Sequence, residues 1–243
     1  MPSNDNDAFS QFIRKLDQLG TLNESDRAAV RSLPFQSQAV PRHYLIVREG
    51  EQATDCCILL SGYACRHKTT QSGGRQIVSF HVPGDILDLQ HLLLDRADHS
   101  VQSITEVRIA VIPAAHIKRL AETHPAIADA LWRDSLIEAS IFREWVLNVG
   151  RRDAKQRVAH MLCEFASRRE NAGQGSPERF EFPMSQEQIA DATGLTPVHV
   201  NRMLAALDKD GVIVRNNREV EITDWTRMQQ IADFNPAYLH AAA

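Results

Sequence analysis

At 243 residues, with 27 Lys and Arg against 31 Asp and Glu and 43% hydrophobic residues, the chain suits one large or two modest folded domains. That composition excludes intrinsic disorder and a very small stapled fold, and a net charge of −4 does not by itself announce a nucleic-acid partner. Residues 151–243 hold 12 Lys and Arg against 13 Asp and Glu, so any DNA surface must be local. No window approaches the ~18 uninterrupted apolar residues of a membrane span, and the start, Met1 to Asp7, is polar and acidic rather than basic and then apolar. These features predict a cytoplasmic protein with no membrane partner. The four cysteines, Cys56, Cys57, Cys65 and Cys163, include an adjacent pair and no C-x-x-C spacing, which argues against a disulfide framework or a structural zinc knuckle.

In chain order, Phe9, Phe12, Ile13, Leu16 and Leu19 recur at helical spacing, and a second short helix is predicted from Glu24 to about Leu33. From Pro34 to Pro113 the texture changes to short runs of Val, Ile and Leu broken by turn signals at Arg48–Glu51, Ser61–Gly62, Gln71–Gly74 and Pro83–Asp85, the pattern of a β-sandwich or barrel. Ala114 to about Val149 reads as helical, with Pro125 opening the long second part. That part is apolar on more than one face, and Ile141 and Trp145 are expected at a seam with the same helix of a second subunit. Gly150-Arg151-Arg152-Asp153 breaks the pattern before a new amphipathic helix. The predicted organisation is therefore a domain over 1–124, a dimerisation helix over 125–150, and a second domain over 151–243. Residues 170–177 read as a surface loop, two short helices follow, and Val212–Val214 and Val220–Ile222 flank Arg215-Asn216-Asn217-Arg218 as a β-hairpin.

Ser185 to Leu207 is the most informative segment. Ser185 followed by Gln188 is a capping box, so a helix starts there and buries Ile189 and Ala192, and Gly194 ends it because glycine adopts the left-handed cap without Cβ strain. Thr196-Pro197 restarts a helix with a hydroxyl cap and a proline in its first turn, and Val200, Met203, Leu204 and Leu207 form its inner face. This is helix-turn-helix geometry. Pro197, Val198, Asn201 and Arg202 are left on the outer face near the N-terminus, where a recognition helix meets base edges. Arg202 is the expected base reader, because a guanidinium fork matches guanine O6 and N7. Asn201 suits a base edge or a phosphate, and Val198 a thymine methyl. Ser185, Gln186 and His199 are expected on phosphates, with Arg215 and Arg218 contributing from the hairpin wing.

These residues resemble the Crp/Fnr superfamily of bacterial transcription regulators. The resemblance is carried in order by Val47 to Ala53, Ile58 to Gly62, Phe80 to Asp85, and Ile189 to Leu204 ending in Val200-Asn201-Arg202-Met203-Leu204, and it spans nearly the whole chain. It implies an α+β protein: an N-terminal jelly-roll sensor, a long dimerisation helix and a C-terminal winged helix-turn-helix. Such a protein binds a two-fold double-stranded DNA operator as a homodimer and works with RNA polymerase. The family's recognition-helix arginine matches Arg202, whereas its usual glutamate falls at Val198, which implies a different DNA half-site.

The resemblance places an effector pocket around Asp85, Asp88, Leu89, Arg96, Ala97 and Asp98. The Gly-Glu and Arg-Ser or Arg-Thr pairs of cyclic AMP-binding members align with Asp88-Leu89 and Ala97-Asp98, where an aspartate repels the phosphate and no fork is available except through a local shift of Arg96. Cyclic AMP binding is not expected. Residues 1–55 contain no Cys, which excludes an iron-sulfur cluster of the Fnr type. The haem-binding members share Pro2, but their Cys-x-His aligns with Asp88-Leu89-Gln90, and His91 is one position off, so haem requires atypical ligands. The cofactor and the signal, small molecule or redox, stay unidentified.

If Ser61-Gly62 is a two-residue hairpin turn, Cys56 pairs with His67 and Ile58 with Cys65, so that Cys56, Cys65 and His67 share a face as metal or oxidant-sensing candidates. Small core residues are the competing reading. Two rival functions stand beside the regulator. One is a metal-dependent cupin-type enzyme, for which no His-x-His is present among the ten histidines. The other is a ligand-binding module without DNA readout.

Overall fold

A computed structural model describes residues 8–52, 54–216 and 219–241. The chain forms two compact units. One runs to Lys68 and resumes over Phe80–Glu138, and the other comprises Thr69–Ser79 and the chain from Ala139.

The first unit opens with α1 (Ser10–Leu19), which buries Phe12, Ile13 and Leu16, and α2 (Glu24–Arg31). A reciprocal capping box fixes the start of α2: Asn23 Oδ1 accepts the Asp26 N–H and Asp26 Oδ2 accepts the Asn23 N–H, each at 3.0 Å. Seven strands follow, β1 (Gln36–Val40), β2 (Leu45–Val47), β3 (Asp55–Ser61), β4 (Ala64–Thr69), β5 (Arg75–His81), β6 (Ser100–Ser103) and β7 (Val107–Pro113). They form two sheets, ordered β1-β7-β3 and β2-β6-β4-β5. Val40, Val47, Cys57, Leu59, Val101 and Ile109 fill the interior between them. On its other face the first sheet presents Cys56, Ile58, Ala110 and Ile112 to Phe12, Leu16, Ile117, Ile127 and Leu131 of the surrounding helices. β3 is buried on both faces, which explains its continuous apolar run where a half-exposed strand would alternate.

The hairpin register expected for β3 and β4 does not form. β3 pairs with β7 and β4 with β6, so Cys56 stands opposite Ile112, Cys65 opposite Gln102 and His67 opposite Ser100. Ser61-Gly62 is a corner that carries the chain from one sheet to the other. Gly62 has φ +80°, and a Cβ there would lie 2.4 Å from the Glu106 carbonyl oxygen, so the close approach admits only glycine. Cys56, Cys65 and His67 therefore lose the common face that the metal proposal needed.

After α3 (Ala114–Thr123), Pro125 begins the 27-residue α4 (Pro125–Arg151). The second unit is built around α5 (Ala154–Asn171), on which every residue from Val158 to Ser167 is buried. Asp153 caps α5 through the Lys155 and Gln156 N–H groups, and the Gln156 side chain accepts the Asp153 N–H in return. Around it lie β8 (Arg179–Glu181), α6 (Gln186–Thr193), α7 (Pro197–Lys209), β9 (Ile213–Asn216), β10 (Glu219–Ile222) and α8 (Trp225–Ala232). The expected hairpin is present as β9 and β10, pairing Ile213 with Ile222 and Arg215 with Val220. A third strand, β8, pairs with β10 and was not anticipated. Its signal is the alternation Arg179-Phe180-Glu181-Phe182, in which Phe180 and Phe182 turn inward onto Phe165.

Candidate nucleic-acid interface and sensor interior

α6 and α7 are set by the caps that their sequence carries. Ser185 Oγ accepts the Gln188 N–H at 3.2 Å, and Gln188 Oε1 accepts the Ser185 N–H at 2.9 Å. Gly194 closes α6 in the left-handed conformation at φ 65°, and Thr196 Oγ1 accepts the His199 N–H at 3.3 Å as α7 restarts with Pro197 in its first turn. Ile189, Ala192, Val200, Leu204 and Leu207 are buried, and Met203 is half-buried. Two arginines that sequence reasoning missed hold the end of α6. Arg157 Nη1 donates to the Thr193 carbonyl at 3.2 Å, and Arg75 Nε donates to Asp191 at 2.7 Å. Cations at a helix C-terminus complement its dipole, but nothing in local spacing announces a contact across 36 or 116 positions.

The opposite side of α7 is bare. Val198 is 81% exposed, and Pro197, Asn201 and Arg202 are exposed with it. Val198, Asn201 and Arg202 are spaced i, i+3, i+4, so they share one helical face. Gln186 is exposed at the start of α6, His199 and Ser185 are half-buried, and Arg215 is half-buried on β9. Arg218 lies outside the described residues.

The six residues expected around an effector each meet partners of their own. Asp85 accepts the Val82 N–H at 3.0 Å and ion-pairs with Lys15 at 2.8 Å. Asp88 is buried and accepts the Cys57 N–H at 2.8 Å. Leu89 packs on the helix side of the first sheet, and Ala97 is in the sandwich interior. Arg96 Nη1 donates to the Gly50 carbonyl at 2.9 Å, and Asp98 Oδ1 lies 2.6 Å from His99 Nδ1.

The first unit also holds a chain of buried charges. Arg66, with its side chain 5% exposed, donates from Nη1 to both Glu138 oxygens at 3.1 Å and from Nη2 to the Leu87 carbonyl at 2.9 Å. Lys15 bridges Asp85 and Asp134, each at 2.8 Å, and His81 Nδ1 stands 3.4 Å from Asp85 Oδ2. Burial raises the Glu138 pKa, but Arg66 leads the opposing charges that bring it below the ordinary carboxylate value. Burial likewise lowers that of Lys15, and Asp134 and Asp85 more than reverse it. His81 is held below the usual imidazole value, first by its burial.

All four cysteines are buried, and desolvation pushes the thiols of Cys56, Cys57 and Cys163 well up. These three are thiols at neutral pH, the opposite of a reactive thiolate site. Among the described residues no group of three or more His, Cys, Asp or Glu could hold a metal ion.

On α4, Ile141 and Trp145 are not the free seam that periodicity predicted. They are 5% and 7% exposed within the single chain, and Trp145 Nε1 donates to Glu164 of α5 at 2.9 Å. The exposed apolar residues of α4 are Trp132 at 70%, Leu136 at 57%, Val146 at 70% and Leu147 at 43%. At ~100° per residue these four fall within an arc of about 100° on one face. Apolar residues on two sides of a helix do not reveal from sequence which side its own chain covers.

Comparison with known proteins agrees with this architecture. Residues 156–231 match the Crp-like helix-turn-helix domain family, and residues 37–124 match the cyclic nucleotide-binding domain family. The nitrogen fixation regulation protein FixK of Azorhizobium caulinodans is 28% identical over 233 residues, covering 95% of this chain and 90% of that protein. The transcriptional activator protein FnrL of Cereibacter sphaeroides is 27% identical over 194 residues, covering 77% of this chain and 76% of its own length. The solved structure of FixK2 from Bradyrhizobium japonicum superposes with a TM-score of 0.75 at 24% identity, over 82% of this chain and 98% of that one. The fold is thus α+β, with an N-terminal β sensor domain, the long helix α4 and a helix-turn-helix with a small β wing. No helix among the described residues is long and apolar enough to cross a membrane. Two domain matches in the family's order, and relatives that share most of the chain, identify it as a member of the Crp/Fnr family of DNA-binding transcription regulators, not an enzyme.

Proposed function

We propose that the chain acts in the cytoplasm as a homodimer that reads a two-fold operator through α7 and contacts RNA polymerase from there. The single observation behind this reading is the capped restart at Thr196-Pro197, which leaves Val198, Asn201 and Arg202 together on an exposed face at the N-terminal end of α7. Arg202 reads a guanine, Asn201 a base edge or phosphate, and Val198 and Pro197 make apolar contact. Ser185, Gln186, His199, Arg215 and Arg218 hold the phosphate backbone. The exposed apolar face of α4, Trp132, Leu136, Val146 and Leu147, supports pairing with a second copy. The signal reaching the sensor domain is read as a small molecule, since buried, protonated thiols do not support redox sensing.

A salt-controlled titration on the specific operator tests the assignment. Arg202→Ala should cost ~1–3 kcal/mol and relax preference at one symmetric base pair, whereas Gln186→Ala should weaken binding evenly across sequences. Full affinity and base preference in Arg202→Ala would remove α7 as the reader.

A further inference from the structure

The sensor unit contains a cleft of about 250 Å³ between β1, β2, β3 and β7 whose walls differ in chemistry. Ile46 of β2 and Ile109 and Val111 of β7 supply apolar lining. The acidic and basic side chains lining it are Asp88, Asp55, Glu51 and Arg48, three carboxylates against one cation. Arg48 is already engaged: its Nε lies 3.8 Å from Glu51 Oε1, and the exposures of 61% and 64% put this pair at the mouth.

Asp88 is the inner end, with its side chain only 2% exposed. Its Oδ1 accepts the Cys57 N–H at 2.8 Å. Among the described residues the one ion-pairing candidate for this carboxylate is His91, whose Nδ1 is 3.6 Å from Oδ2 and makes no hydrogen bond. A buried carboxylate without a hydrogen-bonded cation is costly, and a cation that enters the cleft relieves that cost. The charge balance, the buried acceptor and the apolar lining call for one ligand chemistry, a positive head on a short hydrocarbon body. The volume is below the ~300–1,000 Å³ of drug-sized sites, which restricts the body to a few carbons.

We propose that this cleft binds a small aliphatic amine, its ammonium group on Asp88 with Asp55 completing the negative wall, and its hydrocarbon on Ile46, Ile109 and Val111. The site is distinct from the DNA-reading face and takes no part in that assignment.

The test is calorimetry on the full chain at neutral pH and fixed ionic strength, with n-butylammonium, butyramide and butyrate as probes, and with isoleucine and valine methyl resonances as the local readout. Saturable binding of butylammonium alone, shifting the methyls of Ile46, Ile109 and Val111, is expected. Asp88→Asn keeps an acceptor for the Cys57 N–H and should weaken binding roughly ten- to a hundredfold, the loss of one charge-assisted contact. Asp55→Asn, at the half-exposed edge, keeps the question open to test if Asp88→Asn does not fold, and should weaken binding severalfold. Equal binding of butyramide, or no saturation by butylammonium at tens of millimolar, would overturn the proposal. Because no DNA is present, either result stands apart from the DNA-binding titration.

Discussion

Glu138→Leu strips the Arg66 guanidinium of its carboxylate inside the sensor unit, and its cost can be worked from the contacts. Arg66 is 5% exposed, and two of its bonds, both at 3.1 Å, go to Glu138. Breaking a buried ion pair from one side costs ~3–5 kcal/mol. The Glu138 side chain is 25% exposed, so water already reaches the pair, and the lower end, about 3 kcal/mol, is expected. Arg66→Met leaves the partly hydrated carboxylate and should cost less, about 2 kcal/mol. The double variant carries neither charge and should return to within ~1 kcal/mol of the parent, because apolar replacements of a buried pair are often close to neutral. Urea midpoints followed by circular dichroism give the energies, and hydrogen exchange over β4 and β6 localises the loss to this unit. A Glu138→Leu cost below ~1 kcal/mol, or a double variant no more stable than the worse single one, would refute the coupling.

Acidification should destabilise the chain through His81. Burial holds its folded pKa below 6.5, so the unfolded chain takes up the proton first, and stability present above that value is lost as pH falls through the window below it. The slope is at most about 1.4 kcal/mol per pH unit per histidine. His81→Gln should flatten it in unfolding titrations, with His99, also held down by burial, retaining the remainder; an unchanged slope counts against the assignment. Gly194→Ala should cost ~1–2 kcal/mol in thermal unfolding of the second unit, since φ is +65° while the new Cβ meets nothing closer than Arg157 Nη1 at 3.6 Å. A neutral result would mean that the turn relaxes freely. Leu136→Glu, on the exposed face of α4, should give monomers by light scattering with the fold retained. Ile141→Glu should instead impair folding itself, and a dimer that survives Leu136→Glu would displace the seam.

Much of the helix-turn-helix was legible because its determinants are local. Ser185 and Gln188, Gly194, and Thr196-Pro197 each act on backbone groups within four residues, and every one of those caps is formed. The same holds for Pro125 at the start of α4, and the break expected at Gly150-Arg151-Arg152-Asp153 falls where the Asp153 box opens α5. Resemblance added the sensor role of the first domain, which periodicity alone did not supply.

The misses share a cause. Ser61-Gly62 has the composition of a hairpin turn, but whether β4 folds back on β3 or crosses to the other sheet depends on Gly62 fitting against the Glu106 carbonyl, 44 positions away. Over residues 85–98 sequence spacing does not show which partner each polar group will meet. In space each is taken by a different neighbour, Asp85 by Lys15, Arg96 by Gly50 and Asp88 by Cys57. Trp145 and Val146 are adjacent and equally apolar, and only α5 determines that one is 7% exposed and the other 70%. Local sequence determined where elements start, stop and turn, because backbone hydrogen bonding is satisfied within a few residues. Which face is covered, which strand is paired and which charge is neutralised were decided by partners distant in the chain, since burial and ion pairing depend on what the completed fold brings alongside.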